Sequence, residues 1–202
     1  MELVIISDTH GRHENVRLPD GDVLIHCGDV CGRSDERSVR KFANWMDSQP
    51  YEHKISIAGN HDKFMSSKWF IATHYLQDSG VEIDGVYFYG SPWTPTFFDW
   101  YWMKDRGNDI AERWELIPHK TDVLITHGPA ADTGQLSRAG RGVDVGCEDL
   151  ENAIMRVKPK LHCFGHIHEG YGIHSEGGVE YMNASICNLD YEPINAPMVF
   201  TI

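Results

Sequence analysis

The sequence predicts an α/β fold built on largely buried sheets. Two observations carry that expectation: short, nearly continuous apolar runs recur along the chain, and the segments between them carry apolar residues at helical spacing. A third bounds it. With 202 residues, no linker and no low-complexity segment, the chain fits one domain over residues 1–202. That length buries roughly 70% of the surface an unfolded chain exposes, so no disulfide staple is needed.

Leu3 to Ile6 and Val23 to Cys27 read as the first two buried strands. Ser34 is placed to cap a helix running through Trp45, with Val39, Phe42, Ala43 and Met46 on its apolar face. Lys54 to Ala58 and Val86 to Gly90 are further strands. The aromatic segment from Ser91 to Trp102, SPWTPTFFDWYW, contains prolines that disfavour a helix, and is read as a loop. Such a loop either packs onto its own domain or walls a binding site. A helix around Asn108 to Leu116, a strand from Val123 to Thr126 and a helix from Glu148 to Val157, stopped by Pro159, come next, followed by a strand from Leu161 to Phe164. Between Gly170 and Ile202 the runs shorten and alternate, predicting strands that close a second sheet. Residues 22–28 (DVLIHCG) faintly echo residues 122–128 (DVLITHG), which common strand chemistry explains as well as duplication would.

Composition excludes several classes of function. A formal net charge of -12 opposes strong non-specific binding to nucleic acid, which depends on Lys and Arg neutralising phosphates. It does not oppose a nucleotide held through bound cations. The four-residue apolar run that precedes Ser7 and Asp8 is too short for a signal-peptide core or a membrane span, so a soluble cytoplasmic protein with no membrane association is expected. The 5 cysteines include no C-x-x-C pair and mostly lie beside apolar residues, which predicts reduced, buried thiols. The 12 histidines are the first hint of metal. Outside the motifs below, His26 and His162 are expected in the core or on a strand face, and His13, His53, His74, His119 and His174 on the surface or in loops.

The informative pattern lies just beyond the strands. LVIIS leads into Asp8-Thr9-His10-Gly11, VLIHC into Gly28-Asp29, ISIA into Gly59-Asn60-His61-Asp62, VLIT into His127-Gly128, and LHCF into Gly165-His166-Ile167-His168. In α/β sheets the loops after strand carboxyl ends gather at one edge, where ligands bind. A lone Asp or His there is ordinarily a turn or structural residue; five deliveries with glycine beside nearly every one make a site. Carboxylate oxygens, an amide carbonyl and imidazoles without thiolate suit Mn, Fe or Zn rather than a closed structural zinc site. The donors are too many for one ion. Two ions roughly 3.5 to 4 Å apart would use them all and prepare an in-line attack on phosphorus.

This set, D-x-H, G-D, G-N-H, H-G and G-H-x-H over residues 8 to 168, resembles the calcineurin-like metallophosphoesterase superfamily. The stretches PYEHKISIAGNHD, YLQDSG, YGSPWTP, THGPA, FGHIHEGYG and NASIC are similar, more closely, to the metallophosphoesterase-domain-containing family related to class III cyclic nucleotide phosphodiesterases. The resemblance implies a four-layer α/β/β/α sandwich and two divalent transition-metal ions, Mn first among them and Fe or Zn as alternatives. It implies that Asp8, His10 and His168 hold one ion, that Asn60, His127 and His166 hold the other, and that Asp29 bridges them. His61 would contact the phosphate and protonate the leaving alkoxide. Members of this subgroup vary at the first histidine of G-H-x-H, so an intact His166 favours a fully loaded centre.

The expected reaction is hydrolysis of a small phosphodiester or nucleotide, cyclic nucleotides included, by a metal-bridging hydroxide. Asp62 either orients His61 or caps its turn. Arg138 and Arg141, among the glycines of residues 135–146, and Trp93, Phe97 and Phe98 are candidates to contact substrate. Two alternatives stay within the superfamily. A protein phosphatase is expected to carry D-R-G after its G-D, whereas this chain reads Gly28-Asp29-Val30-Cys31-Gly32-Arg33; a nucleotide phosphomonoesterase uses the same centre. A third, a protein-interaction scaffold, requires lost ligands, and every ligand position here is filled. The sequence leaves monomer and homodimer equally open.

Overall fold

A computed structural model describes residues 1–202. The chain opens with β1 (Glu2–Ile6), β2 (Val23–His26), α1 (Glu36–Ser48), β3 (His53–Ser56) and β4 (His74–Tyr75). A hairpin of β5 (Ser79–Ile83) and β6 (Val86–Ser91) leads to a short ribbon, β7 (Thr94–Pro95) with β8 (Met103–Lys104), and then to α2 (Asn108–Trp114) and β9 (Val123–Thr126). A second ribbon, β10 (Arg138–Ala139) with β11 (Val143–Asp144), precedes α3 (Glu148–Val157), β12 (Leu161–Phe164), β13 (Gly172–Glu176), β14 (Val179–Asn183) and β15 (Met198–Thr201).

Two sheets result, one ordered β15-β1-β2-β3-β4 and the other β13-β14-β12-β9-β6-β5. β1, β2 and β3 run parallel in the first, as do β14, β12, β9 and β6 in the second. The continuous apolar runs are explained by burial on both faces. Alternate residues Leu3, Ile5, Val23, Ile25, Val123, Ile125, Leu161 and Cys163 meet in one cluster between the sheets. From the first sheet, Val4, Ile6 and Leu24 face the other way, onto Val39, Phe42 and Met46 of α1. In the second sheet, Leu124 and Phe164 pack with Ile110 and Trp114 of α2 and with Leu150 and Ile154 of α3. This is the four-layer α/β/β/α sandwich expected, with period-two alternation sorting each strand's side chains between two cores.

Several expectations need correction. The cap of α1 is Asp35, whose carboxylate accepts from Ser38 N at 2.8 Å; Ser34 instead donates its hydroxyl to the His61 carbonyl. The C-terminal strands do not all join the second sheet. β15 returns to the first, antiparallel to β1 with Leu3 opposite Phe200, because the main chain after β14 crosses between the sheets at a Ser7–Ser185 bridge. His13 is buried rather than on the surface, its ring against Phe42 and Trp45 at 5.4 and 4.9 Å. His26 and His162 are fully buried, as expected, and all five cysteines are free and buried.

Candidate metal centre

Each parallel strand at the centre of the two sheets ends in a chemically active turn. Asp8 and His10 follow β1, Asp29 follows β2, Asn60 and His61 follow β3, His127 follows β9, and His166 and His168 follow β12. The turns are unusually tight: Asp8, His10, Asp29 and His166 take positive φ angles of 52°, 43°, 54° and 70°. Such a conformation costs a residue with a Cβ of the order of 1 kcal/mol or more, and clusters at functional sites. Close packing holds it in place. Asp8 N donates to Gly28 O and His10 N to Asp29 O, both at 3.0 Å, while Gly165 N donates to His127 O at 2.9 Å and thereby ties the second sheet's own turns together. Gly59 and Gly165 leave the clearance: a Cβ on either would fall 2.3 Å from Asp29 Oδ1 or 2.0 Å from Asp8 Oδ2.

Three overlapping donor groups form: Asp8, His10 and His168; His10, Asp29 and His61; Asp29, His127 and His166. Within each, the donor atoms lie within 4.8 Å of one another. Asp29 belongs to two groups and sends one oxygen toward each side, Oδ1 lying 3.4 Å from His127 Nε2 and Oδ2 3.8 Å from His10 Nε2. Asn60 Oδ1 completes the second side, 2.9 Å from His127 Nε2.

The donor chemistry fits cations. His10, His127 and His168 each turn Nδ1 to a backbone carbonyl, of Cys31, Cys27 and Asn188 at 3.2, 3.0 and 2.9 Å. With Nδ1 donating, each Nε2 presents a lone pair inward, the orientation common to metal-ligating histidines. His10 Nε2 and His168 Nε2 then face each other at 3.2 Å, beside Asp8 Oδ1, which is buried without a hydrogen-bond partner. Opposed lone pairs around a buried, unpartnered carboxylate oxygen call for positive charge. Burial disfavours a charged imidazole, yet the Asp29 carboxylate raises His127 to about 9, and Asp8 raises His168 to about 9. Burial likewise works against Asp8, and the His168, His127 and His10 rings hold it well below the usual carboxylate range.

His61 stands beside this array, with Nε2 3.9 Å from Asp29 Oδ2 and Nδ1 3.2 Å from the Gly32 carbonyl. Asp62 makes no hydrogen bond to that ring. Its oxygens accept from the amides of Val30, Cys31 and Gly59 at 3.0, 3.0 and 2.9 Å, so it binds the turn after β2 to the turn after β3. Asp62 thereby supports Asp29 and His61 through the main chain rather than by orienting the imidazole.

The donor residues His10, Asp29, Asn60, His166 and His168 open into a cavity of about 300 Å³ whose walls are aromatic. Trp100 stacks on His61 at 4.3 Å, Phe97 lies 5.0 Å from His166, and Tyr191 meets His10 edge-on at 4.7 Å. Phe98, 89% exposed, stands at the mouth. The aromatic loop is therefore a wall, though Trp93 is not part of it: its indole N–H donates to Asp78 and its ring packs into the core of the second sheet. Arg138 does not line the cavity either, because it donates to the carbonyls of Gly134 and Gly142 within its own loop; Arg141 is exposed and also lies outside the cavity walls. Trp100, Tyr191 and Leu189 are wall residues that sequence reasoning missed. Trp100 lay within the aromatic run already singled out; Leu189 and Tyr191 lie just beyond NASIC, in a segment held at the site by the Asn188 carbonyl, which accepts from His168 Nδ1 at 2.9 Å.

Two parallel-stranded sheets that deliver paired carboxylate, amide and imidazole donors to one edge define a metal-dependent phosphoesterase. The chain belongs to the calcineurin-like phosphoesterase family, whose model matches residues 1–170. It is 40% identical to human metallophosphoesterase domain-containing protein 1, over 98% of this chain and 70% of that protein. A Caenorhabditis elegans protein is 38% identical over 100% of this chain and 75% of its own length. Among solved structures, the Mycobacterium tuberculosis phosphopantetheinyl hydrolase has a similar fold, with a TM-score of 0.64 at 13% identity over 97% of this chain and 95% of that one. A Thermus thermophilus protein matches at 0.63 and 11% identity, over 90% and 88%. At those identities the likeness is one of fold alone. No helix is long and apolar enough to cross a membrane.

Proposed function

We propose that this protein is a phosphodiesterase acting on small diesters with a planar organic group, cyclic nucleotides among them, with two divalent ions, Mn the first choice. The observation that carries the reading is the pair of donor groups joined at Asp29 and opening into an aromatic-walled cavity. Bound between these donors, two cations would lower the pKa of coordinated water and neutralise phosphoryl charge. Asp8, His10 and His168 would hold one, Asn60, His127 and His166 the other, and Asp29 both. The chain's own contribution to the reaction is then His61. Its Nε2 lies beside the bridging carboxylate, its main-chain N–H is fixed by a 2.8 Å bond to Asp29 Oδ1, and Trp100 covers one face of the ring. A proton held at that nitrogen is placed to reach a departing alkoxide. Phe98, Trp100 and Tyr191 offer flat surfaces to a base or aryl group.

The test is to strip the protein of metal, restore Mn²⁺, and compare hydrolysis of bis-p-nitrophenyl phosphate with that of p-nitrophenyl phosphate. Metal-dependent turnover favouring the diester is expected; a monoester preference would transfer the protein to the phosphatases, and inactivity of the metal-loaded protein would overturn the enzymatic reading. The His61→Ala variant should keep its metal content and lose roughly 10²- to 10⁴-fold in turnover of a diester with an alkyl leaving group, the range of a positioned acid. The p-nitrophenyl diester, whose leaving group needs no proton, should suffer less. Loss of metal in that variant would contradict the division of roles.

A further inference from the structure

A second cavity is larger than that of the metal centre. It lies on the outer side of the second sheet, between α3 and the β13–β14 hairpin, has a volume of about 670 Å³, and shares no lining residue with the metal-centre cavity. Its size falls within the range of small-molecule sites, about 300–1,000 Å³. Ile154 and Val179, both buried, give it an apolar floor. Around that floor stand Asp132, Glu151 and Glu176. The Glu151 carboxyl is raised by its burial and by the charges of Asp132, Glu176, Asp144 and Glu148, while one oxygen of Glu176 is met by His174 Nε2 at 3.3 Å. Lys158, the one basic residue in the lining, makes no ion pair.

A second observation points to a ligand. Tyr181 on β14 lines the cavity and is only 8% exposed, yet its hydroxyl forms no hydrogen bond within the protein; burial, with the Glu176 and Glu151 charges nearby, raises its pKa. A nearly buried phenol is ordinarily given a partner by its own fold. Here the partner is left to whatever occupies the cavity. An apolar floor, the Asp132 and Glu151 carboxylates without a basic partner, the remaining oxygen of Glu176 and an open phenol together select an apolar body carrying a hydrogen-bonding positive charge.

We propose that this cavity is a second binding site, separate from the metal centre, for a small organic cation of the amine or amidine class with an apolar or aromatic body. The cationic head would sit between Glu151 and Glu176, with Tyr181 offering its hydroxyl oxygen as acceptor, and the body would lie over Ile154 and Val179. Three carboxylates against the single Lys158 repel anions, so phosphate-bearing substrates are not its ligands.

The probe is benzamidinium, titrated by calorimetry into the metal-loaded full-length protein with the metal centre saturated by inorganic phosphate. Uncharged benzamide is the matched control. Benzamidinium should bind at least about tenfold more tightly than benzamide, a difference of about 1.4 kcal/mol. The Glu151→Gln/Glu176→Gln double variant should erase that preference, and Tyr181→Phe should weaken benzamidinium several-fold. Both variants should hydrolyse the p-nitrophenyl diester like the wild type, which checks that they are folded. Equal affinity for the two probes, a charge preference that survives the double substitution, or no binding of benzamidinium at millimolar concentration would each overturn the proposal.

Discussion

At the scale of single residues, the centre depends as much on missing atoms as on ligands. Gly165 sits between the end of β12 and His166, and a Cβ there would come within 2.1 Å of Ser7 Oγ as well as striking Asp8. Neither neighbour can move cheaply. Asp8 is pinned by His166 N and Ser185 Oγ, each at 2.9 Å. The Gly165→Ala substitution should therefore displace Asp8 and leave one donor group incomplete. Metal analysis after reconstitution is expected to find at least one of two ions lost, with turnover lost in step; an alanine variant with full metal content and normal activity would refute this account of the turn. The same residues mark how much was legible in sequence. Asp8, His10, Asp29, Asn60, His127, His166 and His168 announce themselves because each lies within a few residues of a strand end. Ser185 and Asn188 hold Asp8 and His168 from behind, and their role could not be read although Ser185 also follows a strand: a serine and a main-chain carbonyl carry no metal-donor pattern, and their partners lie 177 and 20 positions away.

At the scale of elements, α1 separates stability from chemistry. Its apolar residues Val39, Phe42 and Met46 pack on the outer face of the first sheet, and its N-terminus is capped by Asp35, which bonds both the amide and the hydroxyl of Ser38. Replacing Asp35 with Ala should cost about 1 kcal/mol in denaturant unfolding, the usual worth of such a cap, and leave kcat unchanged. A fall in kcat at unchanged metal content would connect the helix to catalysis and contradict this separation. The helix itself was readable from its periodicity, but the choice between Ser34 and Asp35 as cap was not: both are good caps, and Ser34 is diverted to the His61 carbonyl, a contact made across the fold. Strands were readable for a related reason. Burial on both faces leaves an unbroken apolar run, whereas the placement of β15 beside β1 rests on a long-range pairing that no local pattern encodes.

At the scale of the whole molecule, three buried histidines away from the metal cavity set the response to acid. Burial lowers His13 to about 4 and His26 and His162 to about 3, against 6.5 for the free side chain. Each folded-state value is depressed, so the folded protein binds fewer protons than the unfolded chain between those values. The stabilisation is complete above pH 6.5 and is lost as pH falls toward 4 and then 3, with each histidine steepening the loss by up to about 1.4 kcal/mol per pH unit. Denaturant unfolding between pH 7 and 5 should show this slope. His13→Leu should flatten it by up to about 1.4 kcal/mol per pH unit without loss at pH 7, because both ring nitrogens of His13 lack partners. A slope unaffected by that substitution would assign the acid sensitivity elsewhere.

The division of donors between sheets has a mechanical consequence. Asp8, His10 and Asn60 come from the first sheet, and His127, His166 and His168 from the second, so each proposed ion would draw its ligands from both. Seen this way, the ions are rivets through a hinge whose leaves are otherwise joined mainly by greasy contact. Chelation should loosen the seam: amides in the turns around Asp29, Asn60 and His166 should exchange hydrogen faster, while those of α1 and α3, on the outer faces, keep their protection. Faster exchange spread evenly over all four layers would mean that the seam holds without its rivets.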